Sequence, residues 1–319
     1  MTRGQLTVLR LVPAALALAF VASCDEVIAP NPDPPPVIED DVVPPVVIPP
    51  RSEASEALAL HYGRLQNDLL AQGLLRGDGG GPDTPITDTM LSRNFIRIAL
   101  FDEYRVEGDI LRAEATLSRL RRWNGPINMT VEFGATVPEA QRQRDRTSVS
   151  AYATRLSRLT GVPIRQTTEG ANYHVLILNE DDRLGYEARL RELVPGIADS
   201  SVRAFMDPGR DTLCLVIAFS DAGAPTYSKA VALIRGEHPD LLRLACIHEE
   251  LAQGLGLAND SPQARPSIFN DDEEFGLLTT HDELLLQMLY DPRLRPGMSA
   301  AEAAPIARDI ARELIGGES

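Results

Sequence analysis

A short run near the end of the chain, EELAQGLGLAND, carries side chains that could do chemistry. Glu249 and Gln253 are four residues apart, so both would project from one face of an α-helix. Asn259 and Asp260 follow Gly256, a residue type that suits a backbone turn at positive φ. We therefore expect oxygen-bearing side chains to collect at one helix end and in the turn after it.

The donor types in this run restrict the metals that it could bind. Carboxamide oxygens are poor zinc ligands, and a site built from oxygens alone favours calcium, magnesium or manganese. The candidate ligands of such a divalent metal are Glu249, Gln253, Asn259 and Asp260. Glu250 is the candidate general base that would activate a metal-bound water. Glu249 and Glu250 do not form an acid–base dyad by themselves, because consecutive helical residues point about 100° apart.

The frame of the run resembles that of the zinc peptidases of the metzincin group, which carry HExxHxxGxxH. On this frame Glu250 falls on the general-base glutamate and Gly256 on the turn glycine. The three histidine ligands of that group correspond to Glu249, Gln253 and Asn259. The resemblance therefore implies a zincin-like fold in which the zinc histidines are lost.

Two later segments resemble parts of the same group, and they occur in the group's order. SIFN, at residues 267–270, resembles the SIM segment and its turn beneath the zinc, with Phe269 in place of the methionine. LTTHDELLLQMLYD, at residues 278–291, resembles the helix that closes those domains. His248 does not rebuild the zinc motif, because its i+4 partner is Ala252.

A wider span, from about residue 58 to residue 298, is similar to a proteobacterial lipoprotein family defined as a domain of unknown function. The segments HEELAQGLGLANDSP and HDELLLQMLYDPRLRPGM carry this similarity. It implies an envelope protein, and it implies no activity.

The beginning of the chain has the pattern of an export signal. Residues 1–23 contain two arginines and then the apolar run LVPAALALAFVAS, which is too short to span a membrane. The sequence VASC, ending at Cys24, resembles the lipobox at which bacterial lipoproteins are cleaved and acylated. The alternative is an ordinary signal peptide with an incidental Cys24. Residues 24–51 are proline-rich and acidic, which predicts an extended tether after the lipid.

Charge excludes one class of partner. The formal net charge is −15, with no basic stripe, so the chain would repel a phosphate backbone and we expect no nucleic-acid binding. The expected partners are a membrane, through the N-terminal lipid, and a protein of the cell envelope. The expected location is the inner or outer membrane, with the domain facing the periplasm.

Two cysteines remain after Cys24. Cys214 and Cys246 both lie in apolar segments, and an exported chain folds in an oxidising compartment, so we expect one disulfide between them. The alternative is a pair of buried free thiols. Two isolated cysteines are too few for a tetrahedral metal site.

The remaining patterns give an order of helices and strands. Helices are expected after Ser52 or Ser55 and over residues 147–159, 186–194, 240–260, 280–290 and 300–315. Strands are expected at residues 94–100, 127–133, 173–178, 212–219 and 229–234, with 212–219 in the middle of the sheet. This order predicts a single zincin-like α+β domain over residues 52–319, with helices packed on a mixed sheet.

Three hypotheses for function follow. In the first, a zincin-like domain without catalytic zinc is a binding or structural module of the envelope. In the second, it is an altered-site metal-dependent hydrolase or peptidase, with Glu250 as general base and a metal ligand from elsewhere, His174 or His281. In the third, there is no zincin relationship, and Glu249, Glu250 and Gln253 form an ordinary hydrated helix face.

Overall fold

A computed structural model describes residues 48–107, 110–270 and 272–316. The chain divides into two compact units, Met1–Val46 and Val47–Ser319, and the described residues belong to the second. The predicted signal peptide, Cys24 and all but the last residues of the predicted tether lie outside the described residues.

The described part contains helices and strands in a mixed α+β order. The helices are α1 (Glu53–Ala71), α2 (Asp88–Ala99), α3 (Glu139–Thr160), α4 (Glu180–Arg183), α5 (Glu187–Leu193), α6 (Asp199–Met206), α7 (Asp240–Gln253), α8 (Thr280–Leu289) and α9 (Ala300–Gly316). The strands are β1 (Phe101–Glu107), β2 (Ile110–Leu117), β3 (Arg122–Trp123), β4 (Ile127–Phe133), β5 (Ile164–Gln166), β6 (Tyr173–Leu178), β7 (Cys214–Ser220) and β8 (Thr226–Arg235). No helix in these ranges is long and apolar enough to cross a membrane.

One mostly parallel sheet organises the domain. Strands β5, β4, β6 and β8 are parallel neighbours in that order, and short β3 extends the pairing along β8. Strand β7 pairs antiparallel with the other edge of β8. Strands β1 and β2 form a separate antiparallel hairpin. In the centre of the sheet, Val175 lies between Val131 and Ala232.

Helices cover both faces of this sheet, which explains why β6 is buried along its whole length. The larger core packs α2, α3, α7, α8 and α9 against one face. A second core packs α5 and α6 against the other face, with Leu176 and Val231 at its centre. Because side chains alternate along a strand, Tyr173 faces α7 whereas His174 faces away from it.

Several predicted elements are confirmed. Ser52 caps α1 by accepting a hydrogen bond from the amide of Ser55. The strands predicted at Ile127–Phe133 and Tyr173–Leu178 form as β4 and β6. The predicted helix at 240–260 ends at Gln253, since the chain turns immediately afterwards.

The strand predicted at residues 94–100 is wrong, because this segment belongs to helix α2. Leu91, Phe95 and Ile98 are fully buried, and their spacing of four and three residues is that of one helix face. Thr87 caps the helix start by accepting a hydrogen bond from the amide of Met90. A short apolar run is compatible with the period of a helix or of a strand, and here the Thr87 cap determines that the segment is a helix.

The expected position of residues 212–219 in the sheet is also wrong. Strand β7 is an edge strand, and β8 occupies the interior position instead. Apolar composition reports that side chains are buried, but it does not report which backbone edge is paired. Several β7 side chains are only partly buried, because one side of the strand borders a cavity.

Candidate functional site

Helix α7 is held rigidly against the sheet and α3. Arg243 Nε lies 2.9 Å from each carboxylate oxygen of Asp145 in a buried ion pair. The Tyr152 hydroxyl donates to the carbonyl of His248, and the Tyr173 hydroxyl donates to the carbonyl of Glu250, each at 2.8 Å. These bonds fix the last turns of the helix that presents the predicted site.

Two glycines shape the turn that follows. The Trp123 indole donates to the carbonyl of Gly254 at 2.9 Å. Gly256 has a φ of 124°, and a Cβ at this position would collide with the backbone carbonyl oxygen of Arg121. A residue with a side chain is therefore excluded at Gly256 on both backbone and steric grounds.

The three segments that resemble the metzincin group are joined by hydrogen bonds. Asp282 accepts from the Ser267 hydroxyl at 2.5 Å and from the Ile268 amide at 3.0 Å. The amide of Leu278 donates to His248 Nδ1 at 3.1 Å. The Tyr290 hydroxyl donates to the carbonyl of Leu255 at 2.9 Å. The helix, the SIFN turn and the closing helix therefore form one hydrogen-bonded unit.

The three positions that correspond to zinc ligands do not provide a zinc site. Gln253 Nε2 donates to Asp260 Oδ1 at 3.1 Å. Asn259 Nδ2 donates to the carbonyl of Arg97 at 2.9 Å and to the carbonyl of Asp260 at 2.7 Å. These amides act as donors in partly buried structural bonds, and their oxygens are weak zinc ligands, so the residues present do not fit zinc.

Both adjacent glutamates have unusual environments. Glu250 is 3% exposed, and its Oε2 has no hydrogen-bond partner. Burial, followed by the nearby charges of Glu103 and Asp260, raises the pKa of Glu250 well above its ordinary value. Burial, Asp260 and Glu250 raise the pKa of Glu249 in the same direction. Both shifts have the same cause, because burial and neighbouring carboxylates disfavour the charged form of each glutamate.

The predicted disulfide between Cys214 and Cys246 is confirmed, and it ties β7 to α7. The Cys214 sulfur lies 4.0 Å from Glu249 Oε2, and donor atoms of Cys214, Glu249 and Glu250 all lie within 4.8 Å of one another. A disulfide sulfur is not a thiolate, so it does not serve as the third ligand of a metal. This group contributes two carboxylates only.

Neither candidate histidine joins these carboxylates. His174 lies on the face of the sheet opposite α7, with its Nδ1 3.4 Å from Glu132. His281 is fully buried in α8, and its Nε2 lies 3.1 Å from Asn94 Nδ2. The hypothesis rests on the imidazole side chains and, for His174, on a strand expected to border the cleft, but the sheet and α8 place both residues elsewhere.

A cavity of about 650 Å³ lies beside the end of α7. Its walls are the start of the β1–β2 hairpin, the segment Val194–Ala198, strand β7, and the residues Gln253, Gly254 and Ala258. Glu103 and Tyr104 of β1 belong to this wall, and neither was predicted from the sequence. The polar and apolar alternation within FDEYRVE and ILRAEATL is the signal that predicts such a hairpin.

A second, smaller pocket of about 50 Å³ is lined by Glu249. Its polar lining consists of Glu249, Asp260, Asn270 and Glu273. Two of these, Glu249 and Asp260, are predicted metal ligands, whereas Gln253 and Asn259 do not line it.

Comparison with known proteins identifies a family. A family model described as a protein of unknown function (DUF2927) matches residues 88–309, which contain the hairpin, the sheet, α7 and the closing helix. No curated protein and no solved structure matches the chain.

Proposed function

Since this chain belongs to the DUF2927 family of proteins of unknown function, we propose its function from the site itself. The domain binds an extended, mainly apolar polypeptide segment in the cavity beside β7, as a zincin-like module that has no zinc centre. It acts as a binding module of the cell envelope and does not cleave its ligand.

The lining of the cavity by β7 carries this proposal. Six consecutive residues, from Val216 to Asp221, line the cavity, so the strand presents its backbone edge and not only one set of alternate side chains. Among the described residues β7 pairs with β8 alone. An exposed strand edge offers amide and carbonyl groups to which an added strand can bind.

The charges around the cavity favour an apolar segment. Arg121 forms an ion pair with Asp102, and Lys229 Nζ donates a hydrogen bond to the carbonyl of Leu193, so both cations already have a partner within the domain. The apolar residues of β7 that line the cavity are Val216, Ile217, Ala218 and Phe219. A segment with apolar residues at alternate positions would bury these side chains and use the strand edge.

The proposal is tested with fluorescently labelled ten-residue peptides that have apolar residues at alternate positions. Binding to residues 47–319 is measured by polarisation. Ala218→Arg, which places a long charged side chain in the cavity, is expected to abolish binding. Leu184→Arg changes a side chain that is 68% exposed and does not line the cavity, so it is the matched control. Equal binding by the two variants would contradict the proposal.

The buried carboxyl of Glu250 favours a second candidate function, the altered-site hydrolase. A carboxyl group with a raised pKa and an unpartnered oxygen is typical of general acids and bases. Mass spectrometry of the same peptides after incubation separates the two functions. Intact peptides are expected. If the wild type cleaves the peptides and the Glu250→Gln variant does not, the hydrolase is the correct function.

We also propose that Cys24 carries a diacylglycerol that anchors the chain in the envelope, with residues 24–51 as the tether. The support is the sequence VASC after a short apolar run. Metabolic labelling with an alkyne fatty acid is expected to label the wild type and not Cys24→Ala. The unlabelled Cys24→Ala variant is also expected to be released from washed membranes. Labelling of the variant would disprove this anchor.

A further inference from the structure

Three chain segments bring carboxylates to the small pocket beside α7. Glu249 comes from the helix, Asp260 from the turn that follows it, and Glu273 from the loop after the SIFN turn. No basic residue is among those that line this pocket in the described part of the chain; the other walls are Ala245, Ile268, Phe275 and Gly276. Carboxylate oxygens gathered at one pocket are the ligand type that hard divalent cations prefer.

A neutral oxygen donor at the same pocket is independent of the carboxylates. Asn270 lines the pocket and is 7% exposed, and its Oδ1 has no hydrogen-bond partner. A buried carbonyl oxygen without a partner destabilises the folded state unless something else binds it. No hydrogen bond among the described residues satisfies this oxygen.

We propose that this pocket binds one calcium ion through Glu249, Asp260, Asn270 and Glu273. Calcium takes six to eight oxygen ligands in irregular geometry, and carboxylates and carboxamides together supply them. A pocket of about 50 Å³ has space for the ion and for water that completes its shell. The donor set contains no nitrogen or thiolate, which selects against zinc.

This site differs from the one that the metzincin frame implies. It keeps Glu249 but replaces Gln253 and Asn259 with Asn270 and Glu273, which come from a later loop. The ion would tie α7 to the turn after it and to the loop that follows the SIFN segment. Its role is separate from peptide binding, because none of these four residues lines the large cavity.

The test is calorimetric titration of calcium chloride into the full chain, purified in detergent and stripped of metal with a chelator. One ion is expected to bind, with a Kd of about 10⁻⁴ to 10⁻³ M, the range of extracellular calcium modules. Glu273→Gln and Asn270→Ala are each expected to weaken binding about tenfold or more. The thermal midpoint of the wild type should rise with calcium and fall again with chelator.

Asp272→Asn is the matched control. It removes one negative charge from the same loop, but Asp272 is exposed and does not line the pocket. Its affinity should stay within a factor of about two of the wild type. If Asp272→Asn and Glu273→Gln lose the same calcium affinity, the acidic chain attracts calcium only diffusely. That result would overturn the site. Absence of a calcium isotherm in the wild type, or tighter binding of zinc than of calcium, would overturn it as well.

Discussion

Gln253 Nε2 donates a hydrogen bond to Asp260 Oδ1 at 3.1 Å, across the turn that follows α7. The metzincin frame would place the second metal-binding histidine at Gln253. The bond instead uses this side chain to hold Asp260 next to the end of the helix. The polar end of α7 therefore organises carboxylates and does not arrange three nitrogen ligands.

The zincin-like geometry can be tested by restoring the missing ligands. The variant Glu249→His/Gln253→His/Asn259→His is expected to bind one zinc ion, with a Kd at least about a hundredfold lower than that of two histidines alone, because a third ligand completes the coordination. The zinc content of the variant after gel filtration gives the stoichiometry. Competition with a coloured chelator gives the Kd.

The control for that variant is a histidine pair at the same i, i+4 spacing on an exposed helix. Glu56→His/Leu60→His on α1 supplies two histidines at exposed positions. If the triple variant binds zinc no better than this pair, the three positions do not converge and the zincin-like fold is wrong.

Removal of the disulfide should destabilise the domain. Cys214 and Cys246 are 32 residues apart, and loop closure of that length corresponds to about 3–4 kcal/mol of unfolding free energy. We expect Cys214→Ala/Cys246→Ala in residues 47–319 to lose about that amount in urea unfolding followed by circular dichroism. Dithiothreitol should lower the stability of the wild type and leave that of the variant unchanged. A variant as stable as the oxidised wild type would contradict this role.

Substitution of Gly256 should cost more than substitution of another glycine at positive φ. Gly161 has a φ of 71°, and no atom lies within 4 Å of the point that a Cβ would occupy, so Gly161→Ala adds backbone strain alone, about 1–2 kcal/mol. Gly256→Ala adds a collision with the Arg121 carbonyl, about 1–3 kcal/mol more, because a backbone atom does not rotate away. Equal losses of unfolding free energy for the two variants would show that the turn relaxes.

His238 makes stability depend on pH. It is 2% exposed, and burial, followed by the charges of Arg235 and Arg243, lowers the pKa of its imidazole well below 6.5. The unfolded chain then binds a proton below about pH 6.5 that the folded chain does not, so stability is full above that pH and falls as pH decreases.

The matched variant is His238→Phe, which keeps a ring against Tyr62 but removes the titrating group. Relative to this variant, the wild type should lose about 1.4 kcal/mol of unfolding free energy between pH 7.5 and pH 5.5. Urea unfolding of both chains at the two pH values measures the difference. Parallel pH profiles would show that the pKa of His238 is the same in the folded and unfolded chains.

Local patterns in the sequence determined much of the fold. Ser52 marks the start of α1, the runs INMTVEF and YHVLIL form β4 and β6, and Cys214 pairs with Cys246. These features depend on capping, on the period of apolar residues and on the presence of two apolar cysteines, all of which are local or compositional. The polar run after residue 248 was also visible at this level.

The tertiary structure alone decided which residues meet. Glu249 and Asp260 share a pocket with Asn270 and Glu273, which lie on a later loop, whereas His174 lies on the opposite face of the sheet. Strand β7 became an edge although its residues are apolar, because burial can be satisfied by more than one arrangement of the same apolar residues. Sequence spacing specifies the face on which a side chain lies, but long-range packing determines which other faces it reaches.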